Sequence, residues 1–268
     1  MEISFVLGVL IGALLGLTGA GGGILAVPAL IAGMGWSLQQ AAPVAMIAVA
    51  GSAAIGAIDG FRRRLVRYRA AVLMAIAGVP LTFLGQQAGV LLPQRWLIGG
   101  FAVVMFLVAL RLLLQSRQEH AEENSLIQSP VGQLNPATGR FFWNWPTASM
   151  LTAVGALTGF LIGLLGVGGG FVMVPLLRKF TRVSMHGVVA TSLMVTALVG
   201  SMSVLLALLR GVQLPMAESG IFVLAVATGM LIGRRLVPQL PARLVQDGFA
   251  VILLLVAIGM LVKAVFFA

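Results

Sequence analysis

The chain has 268 residues, 60% hydrophobic and 9% charged, with a mean hydropathy of +1.08 and a formal net charge of +10. That composition excludes an ordinary water-soluble globule, and the absence of cysteine excludes disulfides and thiolate chemistry. No Asp, Glu, Lys or Arg occurs between Glu2 and Asp59, or between Arg140 and Arg178. A bilayer span needs about 20 apolar residues, so the fold class is an all-α polytopic membrane protein.

The first apolar stretch, 3–35, contains Gly-Leu-Thr-Gly-Ala-Gly-Gly-Gly over 16–23, and Pro28 follows five residues after the last glycine. Each interior glycine costs a helix about 1 kcal/mol relative to alanine, and proline suits a first helical turn better than an interior. The stretch therefore predicts two short helices around an unwound glycine turn. Unwound backbone at membrane depth needs protein or water to satisfy its amides. Glycine also lets a ligand reach the main chain, and the following helix aims its positive end at that point. Gly21, Gly22 and Gly23 are thus candidate anion ligands. Gly8, Gly12 and Gly16, spaced by four, suit close helix packing instead. No basic residue precedes Arg62, so the stretch lacks the basic start of a signal peptide and is expected to remain in the mature protein.

The next spans are expected at 40–61, 70–92 and 96–114. Ser52 in the first, and Gln86 with Gln87 in the second, are polar groups inside apolar segments, where they need partners or line a pathway. Asp59 adjoins Arg62, Arg63, Arg64, Arg67 and Arg69; an ion pair at the membrane surface suits it better than proton coupling. A pI near 11.8 would suggest nucleic acid in a soluble protein. Here the arginines sit at the ends of apolar segments, which anchors a membrane protein, and no nucleic-acid partner is expected. Trp36, Trp96, Trp143 and Trp145 fall at segment ends and read as interfacial anchors.

A polar linker covers 115–146, and four further apolar stretches follow at 147–177, 187–209, 217–237 and 244–266. Residues 8–30 match 155–177 at a shift of 147 with 13 identities in 23 positions, including Gly21, Gly22 and Gly23 against Gly168, Gly169 and Gly170, and Pro28 against Pro175. Residues 93–103 match 241–251 at a shift of 148, through Pro93/Pro241, Arg95/Arg243 and Gly-Phe-Ala-Val. The chain therefore reads as repeat 1 over 1–114, a linker, and repeat 2 over 147–268.

If each glycine-broken element re-enters and returns to the side it left, every repeat crosses three times. Fourteen Lys and Arg then share one face, against Arg95, Arg210 and Lys263 on the other. A single crossing would divide the charges ten to seven. The positive-inside rule thus favours two inverted-topology repeats, each opening with a re-entrant helix pair followed by three transmembrane helices, with both termini outside and the linker cytoplasmic. The piece from Ile24 to Gly35 is too short to cross alone at about 1.5 Å per residue. Inversion brings the two glycine breaks toward the midplane from opposite sides, which suits alternating access.

At these residues the chain resembles the TauE/SafE family of sulfite and organosulfonate exporters: two hydrophobic repeats, each opening with Gly-x-Gly-Gly-Gly followed by Val-Pro, and a polar linker between. Ala190-Thr191-Ser192-Leu193 is similar to the Thr-Ser element common after the glycine motif in that family, whereas the equivalent positions of repeat 1 are Val44 and Ala45. The resemblance implies a cell (inner) membrane protein that exports sulfite or an organosulfonate, coupled to protons. It adds Thr191 and Ser192 to the candidate ligands; the alternative for their hydroxyls is a bond to the preceding helical turn. His186 reads as interfacial.

Composition and spacing by themselves reach a transporter or a channel, with an anion as the plausible cargo. The alternatives are an anion channel or a carrier of another small organic anion, which saturable counterflow or large single-channel currents would separate. A structural subunit would use the broken helices as packing devices. No His-Glu-x-x-His motif, nucleotide-binding loop or pair of acids within apolar segments is present, so no enzyme activity, catalytic residue, metal or cofactor is expected.

Overall fold

A computed structural model describes residues 2–19, 21–118, 143–181, 183–211, 216–236 and 241–266. All its regular elements are helices. In chain order they are α1 (Glu2–Thr18), a 3-10 turn (Gly22–Leu25), α2 (Ala26–Gly33), α3 (Leu38–Arg62), α4 (Tyr68–Leu91), α5 (Gln94–Gln118), α6 (Trp145–Leu165), α7 (Gly170–Phe180), α8 (Met185–Leu209), α9 (Met216–Leu236) and α10 (Ala242–Phe266). Among the described residues, α3, α4, α5, α6, α8, α9 and α10 are long and apolar enough to cross a bilayer. Their outward faces carry large apolar side chains such as Ile76, Leu224 and Leu255, each about two-thirds exposed at 67%, 69% and 65%. A surface of that kind is stable against lipid, not against water. Most of the linker, residues 119–142, lies outside the described residues.

Local signals set the helix ends. Ser37 and Ser184, 147 residues apart, cap α3 and α8 by accepting from Gln40 N and Gly187 N, and Gln40 returns the bond to Ser37 N in a capping box. Small residues set the packing. A Cβ added to Gly12 would collide with the Val226 carbonyl of α9, and one on Gly159 with the Gly78 carbonyl of α4. Hence α1 lies backbone to backbone along α9, and α6 along α4, as small residues allow in membranes. Thr82 in α4 reinforces the second pair by donating toward the carbonyls of Gly78 and Gly159, both at 2.9 Å.

The principal helix pairs are α1 with α9, α4 with α6, α3 with α8, and α5 with α10. Exchanging the halves of the chain maps this set onto itself. In each of the first two pairs the helices run in the same sense: Gly8, Gly12 and Gly16 meet successive turns of α9, and Gly155, Gly159 and Gly163 successive turns of α4. By contrast α3 and α8 run oppositely, Gly60 meeting Ala190 and Gly200 meeting Ala50.

One end of the bundle gathers the cations. Arg234 at the end of α9 reaches Asp59 of α3 at 3.6 Å, and Arg67 donates its backbone N–H to Thr191 of α8 at 3.0 Å. Arg178 and Lys179 close α7, and the Gln246 amide near the start of α10 donates to Leu112, beside Arg111, at 3.1 Å. Arg95, Arg210 and Lys263 stand at the far ends of α5, α8 and α10.

Candidate functional site

In both halves an early glycine ends the first helix. Gly19 (φ +72°) follows α1 and Gly166 (φ +67°) caps α6, positions 147 apart in the left-handed region that costs other residues most. The chain then turns back. Gly22 lies against the backbone of Leu15, Gly33 against Leu7, and the Ser4 hydroxyl is 3.5 Å from Met34 Sδ. The 3-10 turn and α2 therefore run antiparallel to α1 and return to the level at which it began. The two arms are unequal, which corrects the expectation of two short helices: α1 has 17 residues and α6 has 21. The single left-handed glycine sets the reversal, and the triple run begins the second arm. Pro28 stands in the first turn of α2 as expected, but Pro175 lies inside α7, where it gives up one backbone bond.

The two triple-glycine runs meet at Val49. A Cβ on Gly23 would lie 2.9 Å from Val49 Cγ1, and one on Gly168 would lie 2.6 Å from the same methyl. Val49 is halfway along α3; its equivalent halfway along α8 is Thr196, whose Cγ2 is 3.3 Å from the Gly168 position. Gly169 packs on Thr158 of α6. Thr158 and Thr196 are 0% and 3% exposed, and neither hydroxyl oxygen has a hydrogen-bond partner. Unpaired hydroxyls at such depth cost about 1–3 kcal/mol each, and both stand beside the start of α7, where helix amides and dipole favour an anion.

A cavity of about 470 Å³ runs from these glycines toward the cation-rich end. Gly21 of the first run and Gly170 of the second both line it, with Thr18, Arg111, Arg178 and Gln246 as its other polar positions. Apolar side chains of α1, α5, α6, α7, α8 and α10 form the rest of its wall.

The remaining candidates are dispersed. Gly22, Gly23, Gly168 and Gly169 are buried in close packing, so that only the outer member of each run reaches the cavity. Thr191 accepts from Arg67 N and donates to Gly187 O at 2.7 Å, and Ser192 donates to Val189 O at 2.9 Å. Thr191 thereby fastens the arginine loop to α8. Gln86 donates its amide to Ser203 O and Oγ at 2.8 and 2.9 Å, tying α4 to α8, while its Oε1 is buried without a partner. Ser52 is 2% exposed within α3, away from the cavity wall. Asp59 pairs with Arg63 at 3.1 Å and with Arg234. Sequence reasoning missed Thr158 and Thr196, and counted Arg111 and Arg178 only as topological charges.

A sequence model of the family described as "Sulfite exporter TauE/SafE" matches residues 4–260. A "Probable membrane transporter protein" of Xylella fastidiosa (strain 9a5c) is 31% identical over 201 residues, covering 74% of this chain and 70% of its own. "Probable membrane transporter protein YunE" of Bacillus subtilis (strain 168) is 26% identical, over 75% of this chain and 77% of its own. "Probable membrane transporter protein MamO" of Magnetospirillum gryphiswaldense is 24% identical over 92% of this chain but only 42% of its own length. No solved structure matches.

Proposed function

This chain belongs to the sulfite exporter TauE/SafE family and is a multi-pass membrane transporter, and we propose that it is a secondary carrier moving a small anion, sulfite or an organosulfonate, by alternating access. The observation that carries this reading is the cavity lined by one glycine of each run, Gly21 and Gly170; the unpaired hydroxyls of Thr158 and Thr196 lie deeper, on residues packed against Gly169 and Gly168. An anion in the cavity would meet the start of α7, whose dipole amounts to about half a positive charge, and on passing inward between the two runs it would reach the two hydroxyl donors. In a water-excluded site each of these interactions gains strength. The cavity's arginines would draw the anion in from the cation-rich end.

The two repeats, 1–114 and 147–268, are proposed to be inverted, with the linker 115–146 and the cation-rich end in the cytoplasm and both termini outside. Supporting this are the opposite senses of α3 and α8, the partner exchange between α1–α9 and α6–α4, and the gathering of arginines at one end. Rocking one repeat against the other about Val49 and Thr196 would move access from one face to the other. Export and proton coupling belong to the same proposal.

The test is counterflow of labelled sulfite and labelled sulfonates in proteoliposomes. Saturable exchange that falls at least tenfold in Thr158→Val and Thr196→Val, with thermal stability retained, is the expected result. Exchange unchanged in both variants would remove the proposed site, and non-saturating flux with large unitary currents would replace the carrier by a channel.

A further inference from the structure

We propose that the path from the two glycine runs to the far end of the bundle is shut by a dry apolar plug of Ile24, Leu25, Ile98, Phe101, Leu165 and Met260, and that parting this plug admits or releases the anion on that side. The plug rests on the carrier reading of the cavity and supplies that carrier's second gate. Each of the six residues is the repeat-related copy of one that lines the cavity. At a shift of 147, Ile24 and Leu25 answer to Phe171 and Val172, and Leu165 to Thr18. At 148, carried along α5 and α10, Ile98, Phe101 and Met260 answer to Gln246, Phe249 and Leu112. Exchanging the halves of the chain therefore turns the wall of the cavity into this plug.

The copies pack together where the originals line a space. All six are 0–6% exposed and belong to one packed cluster, in which Ile98 and Met260 lie one turn from Arg95 and Lys263 at the far end. Chemistry separates the two halves as well. The cavity's Thr18, Gln246 and Arg111 become Leu165, Ile98 and Gly259, and Thr196 beside the second glycine run becomes Val49. The far half of the path thus carries no polar side chain at these positions. Packed hydrocarbon of this kind gates by dewetting, and an anion inside it would lose its hydration without compensation. The plug has to part around the cargo, and while shut it keeps ions from leaking through a carrier whose other end stands open.

The chain holds no cysteine, so single introduced thiols report directly. Gln246→Cys with Ile98→Cys, and the equivalent pair Val172→Cys with Leu25→Cys, would be labelled by a membrane-impermeant maleimide in nanodiscs, where both faces are accessible, with and without sulfite or methanesulfonate. Without anion the plug thiols are expected to react at least about tenfold more slowly than their cavity partners, because labelling waits on local opening. An anion that the carrier exchanges should speed the plug thiols and slow the cavity thiols. The second pair, on different elements, decides the matter if a variant of the first fails to fold. Plug thiols that react as fast as the cavity thiols would overturn the proposal, as would plug thiols indifferent to an anion that the same variants exchange in counterflow. Slow plug thiols in a chain that exchanges neither anion would sink the carrier reading and leave the plug shut as described, whereas counterflow with fast plug thiols would sink this proposal alone.

Discussion

Replacing Gly159 by alanine tests whether backbone contact between α6 and α4 holds the bundle together. A Cβ at that position would collide with the Gly78 carbonyl oxygen and lie 2.5 Å from Gly78 Cα, where carbon atoms settle at about 3.5–4.0 Å. The helices must part by about 1 Å, and such overpacking costs about 1–3 kcal/mol. Parting also lengthens the 2.9 Å bond from Thr82 Oγ1 to Gly159 O, worth about 0.5–1.5 kcal/mol. Alanine returns up to about 1 kcal/mol through helix propensity. The expected net loss is about 1–3 kcal/mol, a fall in Tm of about 4–8 °C at its middle. Thermal unfolding in detergent measures it, with Gly100→Ala as the control. Nothing lies within 4 Å of a Cβ there, so that variant should match the parent or exceed it slightly. Equal melting of the two variants would refute the packing argument.

Gly168→Ala should lose transport because its methyl would meet Val49 Cγ1 at 2.6 Å, and Val49→Ala in the same chain should restore a measurable part of the counterflow. Thr191→Val leaves Arg67 N without its acceptor and should cost about 1–3 kcal/mol of stability, which Thr191→Ser should largely recover in the same melting assay. Asp59→Asn breaks ion pairs whose side chains are 30–70% exposed, so Tm should drop by no more than about 1 kcal/mol allows. A larger loss would mean that this carboxylate does more than pair at the surface.

Much of the architecture was legible in the sequence because membrane helices announce themselves through long uncharged runs and duplication through aligned glycines and prolines. The apolar stretches coincide with the helices, and the chain reverses at the glycine motifs. What could not be read was which glycine turns the chain. Gly19 and Gly21 are both plausible breakers by type, and only backbone dihedrals separate them. The candidate site was legible in part for a related reason. Threonines are frequent in membrane helices and commonly bond to the turn before, as Thr191 does. Thr158 and Thr196 differ from it only in leaving their hydroxyls unpaired, a property of tertiary surroundings. Arg111 and Arg178 entered as charges counted for topology, since nothing local reveals that α5 and α7 face one cavity.

The partner exchange between the halves also bears on how the chain is made. Helix α1 leaves the ribosome before the other helices of this bundle, and the surface it fits, on α9, follows some 200 residues later. At about 5–20 residues per second its glycine face waits about 10–40 s in the lipid. The second reversal, α6 and α7, meets α4 already in place. Assembly is therefore expected to begin with α4, α6 and α8, to continue when α9 arrives to engage α1, and to close when α10 engages α5, so that truncation within α9 should leave the first helix open to proteolysis while later truncation within α10 should not.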